Sequence, residues 1–106
     1  MTSVREFVQD LRTQGYSVKF NAKIKGISGH VHHVDGLAKN SKDGGKTILW
    51  LEKRGDPITE IIEVFAISYD TGAEACYAVD GELGEEERRL VDFYRMRLLS
   101  KDTLPD

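Results

Sequence analysis

Residues 30–54, HVHHVDGLAKNSKDGGKTILWLEKR, decide the fold. Two segments with strand character, His30 to Lys39 and Lys46 to Arg54, flank the turn-rich run Ser41-Lys42-Asp43-Gly44-Gly45. Thr47-Ile48-Leu49-Trp50-Leu51 is β-branched, aromatic and apolar, so the two segments read as an antiparallel hairpin. A four-residue turn from Ser41 to Gly44 sets Asn40 opposite Gly45, His33 across from Glu52 and Asp35 across from Trp50. Alternation then puts His33 and Asp35 on one face of their strand, and Trp50, Glu52 and Arg54 on one face of the next, with Lys53 turned away. Two acids, a histidine and a cation share one patch. A slip of one residue would send Glu52 to the face opposite Asp35.

Outward from the hairpin, Ser3 and Glu6 form a capping box for a helix in which Val4, Phe7, Val8 and Leu11 recur at helical spacing until Gly15. Ser17 to Lys25 is a first strand, separated from the hairpin by Gly26 and Gly29. Asp56 and Pro57 suit the N-cap and first position of a second helix, carried by Ile58, Ile61, Ile62, Phe65 and Tyr69 up to Gly72. Ala75 to Val79 reads as a central strand covered on both faces, and Glu85 to Tyr94 as a charged helix with Glu85 four residues before Arg89. Arg95 to Leu99 is read as a short last strand, and Lys101 to Asp106 as a frayed tail. The expectation is an α/β fold on one mixed sheet, a single domain over residues 1–100.

One hundred and six residues leave no room for a second domain, and 31% charged residues with two prolines exclude a disordered or fibrous chain. No apolar run approaches a membrane span and the amino terminus is charged and amphipathic, so a cytoplasmic protein without a membrane partner is expected. The lone Cys76 excludes an internal disulfide and a cysteine-based zinc cluster, and its apolar strand makes it inert core. The net charge of −3 hides an asymmetry. Residues 1–54 hold ten Lys and Arg against five acids, a net +5, whereas residues 55–106 hold five against thirteen, a net −8. A basic amino half can follow a phosphate backbone while the acidic half faces solvent.

Paired carboxylates repel unless a cation lies between them, and Mg²⁺ is commonly held by one or two carboxylates plus waters and phosphate. Asp35 and Glu52 are the pair this argument selects, with Arg54 as a cation that can stabilise charge on phosphate. Solvated strand acids paired with basic neighbours are the plain alternative. His30, His32 and His33 lack a second ligand pair at zinc spacing. Gly44-Gly45-Lys46-Thr47 imitates a phosphate loop but precedes a strand where a helix is required.

Gly26-Ile-Ser28-Gly29-His-Val-His-His33-Val-Asp35-Gly-Leu, followed by Ile48-Leu-Trp-Leu-Glu52-Lys-Arg54, resembles the Mrr-like restriction endonucleases of the PD-(D/E)XK nuclease superfamily. The helix over 57–70, the strand over 75–79 and Phe93 to Leu99 resemble that family's later core elements, so the resemblance spans nearly the whole chain. It implies a restriction-endonuclease-like core and a metal-dependent endonuclease acting on DNA. Asp35 and Glu52 would hold Mg²⁺ or Mn²⁺, with the Lys53 carbonyl as a further ligand and Glu6 as an outer carboxylate. His33 would orient Asp35 or touch phosphate, while Lys23, Lys25, Ser28 and Lys53 would bind nucleic acid, and a homodimer would suit paired cuts. The departure from the family's pattern is Arg54, which stands where the family has lysine. Arginine stays protonated and binds phosphate in a fork, but cannot give or take a proton. Two other readings stay open: a non-catalytic nucleic-acid-binding module, and a structural or protein-interaction domain.

Overall fold

The computed structural model describes residues 1–40, 42 and 44–101. Its elements are α1 (Val4–Thr13), β1 (Ser17–Lys25), β2 (Val31–Asn40), β3 (Lys46–Glu52), α2 (Pro57–Thr71), β4 (Glu74–Val79), α3 (Glu85–Phe93) and β5 (Arg97–Ser100). They build a mixed five-stranded sheet in the order β1-β2-β3-β4-β5, antiparallel across the first three strands and parallel from β3 to β5. The capping box of Ser3 and Glu6 opens α1, Asp56 caps α2 ahead of Pro57, and Gly72 closes α2 in the left-handed region at φ 74°. The expected last strand forms as β5.

Helix α1 covers one face of the sheet, where Phe7, Val8 and Leu11 pack with Ala38, Ile48, Trp50 and Cys76. Helices α2 and α3 cover the other, where Leu49 packs with Ile67, and Ile61, Val64 and Val91 pack with Tyr77. Cys76 is buried, and that burial pushes its thiol up to about 12, as expected of inert core.

The hairpin register differs from the expected one. Asn40 pairs with Lys46, not Gly45, and Gly36 pairs with Trp50, so the slip of one residue is the arrangement found. The cause lies in the turn: Gly44 and Gly45 both take positive φ, 71° and 79°, and lengthen the connection by one residue. Ser41 and Asp43 fall outside the described residues. His33 therefore does not face Glu52; it pairs with Lys23 of β1.

Strand alternation also changes phase within the first two strands. Val18 packs on the α1 side but Ala22 and Ile24 on the α2 side, while Val34 and Leu37 share the α2 side although three residues apart. The change falls at Asn21, whose φ of 50° is left-handed, and at Asp35, which lies between the pairs Phe20–Gly36 and Ala22–Val34. Gly36 is required beside it because the Trp50 ring occupies the space a Cβ would take. Past this point β1 and β2 continue as a two-stranded ribbon, beyond the last β2–β3 pair, with Ala22, Ile24 and Val34 against α2.

Candidate functional site

The described β2–β3 ladder ends at Gly36–Trp50, and two residues further the Glu52 N–H donates instead to the Asp35 carboxylate, at 2.7 Å. The hydrogen bond that Asp35 accepts from Glu52 is thus from its backbone, while the Glu52 side chain acts on the site through its charge, which with that of Glu60 helps Asp35 to raise the Arg54 pKa. Arg54 lies past the end of β3 and reaches back: Nη2 donates to Asp35 Oδ1 at 2.5 Å and Nη1 to Oδ2 at 2.9 Å, a bidentate fork. Nη1 also donates to the Glu52 carbonyl at 3.2 Å. The Asp35 side chain is 10% exposed and that of Arg54 61%, so the guanidinium joins a buried carboxylate to solvent.

Burial alone would push the Asp35 carboxyl up, but hydrogen bonds from Arg54 and the Glu52 N–H, with the charges of Arg54 and Lys101, hold it below its ordinary value. Asp35 in turn raises the Arg54 pKa further above its usual range, so both groups stay ionised.

Two residues position Arg54 from below. Glu60, in the first turn of α2, accepts the Arg54 N–H at 3.1 Å and the Gly55 N–H at 2.9 Å. Its other oxygen accepts the Tyr77 hydroxyl at 2.6 Å, and burial followed by the bond to Glu60 drives the Tyr77 pKa upward. The loop after β3 is therefore bolted to the buried face of β4. Lys101 belongs to the same end of the sheet and not to a frayed tail: its N–H donates to the Val79 carbonyl at 2.8 Å, and Nζ to the Lys53 carbonyl at 3.0 Å. Asp102 to Asp106 fall outside the described residues. Glu60, Tyr77 and Lys101 are functional candidates that the sequence reading passed over. Only Glu60 left a signal, as an acid one turn into a helix that follows the motif.

The other anticipated residues divide. His33 is exposed and lines, with Asn21, Asp35, Leu51 and Arg54, an open recess of about 280 Å³. Lys23 and Lys25 are exposed on β1, Lys53 is half-buried with its carbonyl taken by Lys101, and Glu6 serves its own capping box. Ser28 is committed elsewhere. Its N–H and hydroxyl donate to the two oxygens of Asp70 at 2.9 and 2.7 Å, and His32 Nε2 lies 2.7 Å from the same carboxylate. Gly26 of the motif is explained by that carboxylate, which fills the space a Cβ would need. A second recess of about 400 Å³, lined by Glu74, Cys76, Tyr94 and Arg97, sits at the opposite ends of the parallel strands and does not join the Asp35 site.

No family model matches the chain, and no curated protein matches it. A solved structure described as a protein of unknown function, AF1548, is similar, with a TM-score of 0.63 and 17% identity over 87% of this chain. The chain spans about half of that one, 53% of its length. The likeness establishes a shared α/β fold.

The residues present do not fit the metal that the resemblance implies. Both Asp35 oxygens accept from Arg54, and the Lys53 carbonyl accepts from Lys101. Among the described residues no three His, Cys, Asp or Glu side chains are grouped to hold an ion. Two side-chain cations stand against the ligands expected to share a divalent one.

Proposed function

We propose that this chain is a nucleic-acid-binding domain on a nuclease-like α/β core, gripping the phosphodiester backbone of DNA at Arg54 and along the lysines of β1. The observation that carries this reading is the fork between Asp35 and Arg54. A guanidinium has five N–H donors in one plane, and here its buried edge is fixed on Asp35 while more than half of the side chain stays open to solvent. Such a cation is pre-organised: ordering it on a phosphate costs less side-chain entropy than ordering a free arginine. Exposed Lys23 and Lys25 continue the positive surface along β1, in agreement with the net +5 of residues 1–54.

A second reading is a Mg²⁺-dependent endonuclease, active as a homodimer on duplex DNA. It is favoured by the contact of Asp35 with the Glu52 N–H, which keeps the two acidic positions of the motif adjacent. Nicking of supercoiled plasmid in Mg²⁺ or Mn²⁺ separates the two. The binding reading expects intact plasmid with the wild type and with Arg54→Lys. Nicking by either protein that Asp35→Ala abolishes would establish the endonuclease and overturn the binding reading.

A further inference from the structure

Beyond the last β2–β3 pair, the β1–β2 ribbon ends in the turn Gly26-Ile27-Ser28-Gly29, and Ile27 at its tip is 88% exposed. Isolated apolar residues are common on protein surfaces and by themselves signal nothing. This one is held. The Ile27 N–H donates to the Asp70 carbonyl at 2.8 Å, and Ser28 is fastened to the Asp70 carboxylate through both its N–H and its hydroxyl. Within the turn, Gly29 N–H donates to the Gly26 carbonyl at 3.0 Å and Gly26 N–H to the His30 carbonyl at 2.9 Å. His32 completes the clamp from the ribbon side, at 2.7 Å from the Asp70 carboxylate. The clamp fastens the base of the turn and leaves the isoleucine outside.

The face of the ribbon away from α2 carries exposed Lys23, Lys25, Val31 and His33, with Lys23 opposite His33 and Lys25 opposite Val31. At one end of this face is the Asp35–Arg54 fork, which shares a recess with His33, and at the other is Ile27. A two-stranded β-ribbon fits a DNA groove, and apolar tips such as isoleucine act as wedges between base steps when flanking cations hold the backbone. We infer that the β1–β2 ribbon lies along duplex DNA with Ile27 as an apolar wedge at a base step, Lys23 and Lys25 holding the adjoining phosphates. The inference rests on the DNA-binding reading above and adds to it how the protein deforms its partner.

The test uses the full chain, a 20-base-pair duplex carrying 2-aminopurine, and Ile27→Ala, Ile27→Leu and Arg54→Ala variants. The wild type should raise 2-aminopurine fluorescence on binding, because an unstacked base fluoresces more strongly. Ile27→Ala should abolish that rise and weaken binding roughly 5- to 10-fold with an unchanged salt slope, since the wedge touches no phosphate. Ile27→Leu should retain both signals. If Ile27→Ala gives the wild-type fluorescence and affinity while Arg54→Ala weakens binding, the wedge is wrong and the DNA-binding reading stands. If the wild type does not bind duplex at all, both fall. Ile27-dependent binding to phosphatidylserine vesicles with none to duplex would assign the tip to a membrane surface and overturn the inference.

Discussion

Two aspartates of this molecule receive similar attention from neighbouring donors and have opposite consequences. Asp35 accepts a backbone N–H and a guanidinium, and Asp70 accepts a backbone N–H, a hydroxyl and an imidazole. Both carboxyls are held below their ordinary value. The difference lies in what the partner does with its other side. Arg54 turns most of its surface to solvent, so Asp35 serves as the fixed end of a cation that can hold something else. The Ser28 hydroxyl is taken up within the turn, where it also accepts the His30 N–H at 3.2 Å, and His32 is mostly buried, so Asp70 is the end of the chain of contacts and locks the ribbon to its helix. A carboxylate with several donors therefore signals a site only when one of the donors still has an outward face.

Each aspartate is accompanied by a glycine whose missing Cβ can be used to separate the two roles. Gly36→Ala would drive a methyl group into the Trp50 ring, which is 1% exposed and has no room to retreat. Overpacking of this kind should cost about 2–3 kcal/mol, read as a lower urea midpoint, with DNA affinity per folded molecule reduced because Asp35 is displaced with its neighbour. Gly26→Ala would meet the far end of the Asp70 side chain, which can swing aside, and should cost less while loosening the turn. Equal effects of the two substitutions would erase the distinction between a rigid core contact and a clamp.

The clamp makes a pH signature on the acid side, to which Asp35 and Asp56, also held below their ordinary value, add. Hydrogen bonding to His32 first, and then to Ser28, lowers the Asp70 pKa from 3.8 to about 2. A depressed native pKa contributes stability that is fully present above the unfolded value and is lost as pH falls through the native one. Wild-type stability should accordingly decline from about pH 4 towards about pH 2. Asp70→Asn should make that limb shallower, leaving the share due to Asp35 and Asp56, and should lower the melting temperature at neutral pH, as followed by circular dichroism across the pH series. An acid limb unchanged in the variant would show that Asp70 does not form the clamp.

Much of this architecture was legible in the chain because the signals were local. Ser3 with Glu6, Asp56 with Pro57, and Gly72 mark helix ends within a few residues of themselves, and each forms the cap its type suggests. The motif pattern identified Asp35 and Arg54, which do come together. The register was not legible, because it depends on two consecutive glycines both adopting positive φ, and a glycine pair permits several turn lengths. The phase change at Asn21 and Asp35 was also hidden, since strict alternation has no term for a left-handed asparagine in a strand. Lys101 and Asp70 were missed for a third reason. Their partners, Lys53 for one and Ser28 and His32 for the other, lie 38 to 48 residues away, and only the assembled sheet and helix bring them together.

The sharpest test of function is at the fork itself. Arg54 is mostly exposed, but Arg54→Ala leaves the largely buried Asp35 carboxylate with the Glu52 N–H alone, so it should cost more than the roughly 1 kcal/mol of an exposed pair, and its urea midpoint is read before binding is compared. The decisive measurement is the affinity of wild type and Arg54→Ala for duplex DNA as a function of salt, in EDTA. A guanidinium that binds phosphate without a metal predicts wild-type binding that persists in EDTA, and an Arg54→Ala line of log K against log salt flatter by about 0.9, one phosphate contact. Wild-type binding that disappears in EDTA, or an Arg54→Ala line that superimposes on the wild type in both affinity and slope, would contradict the account.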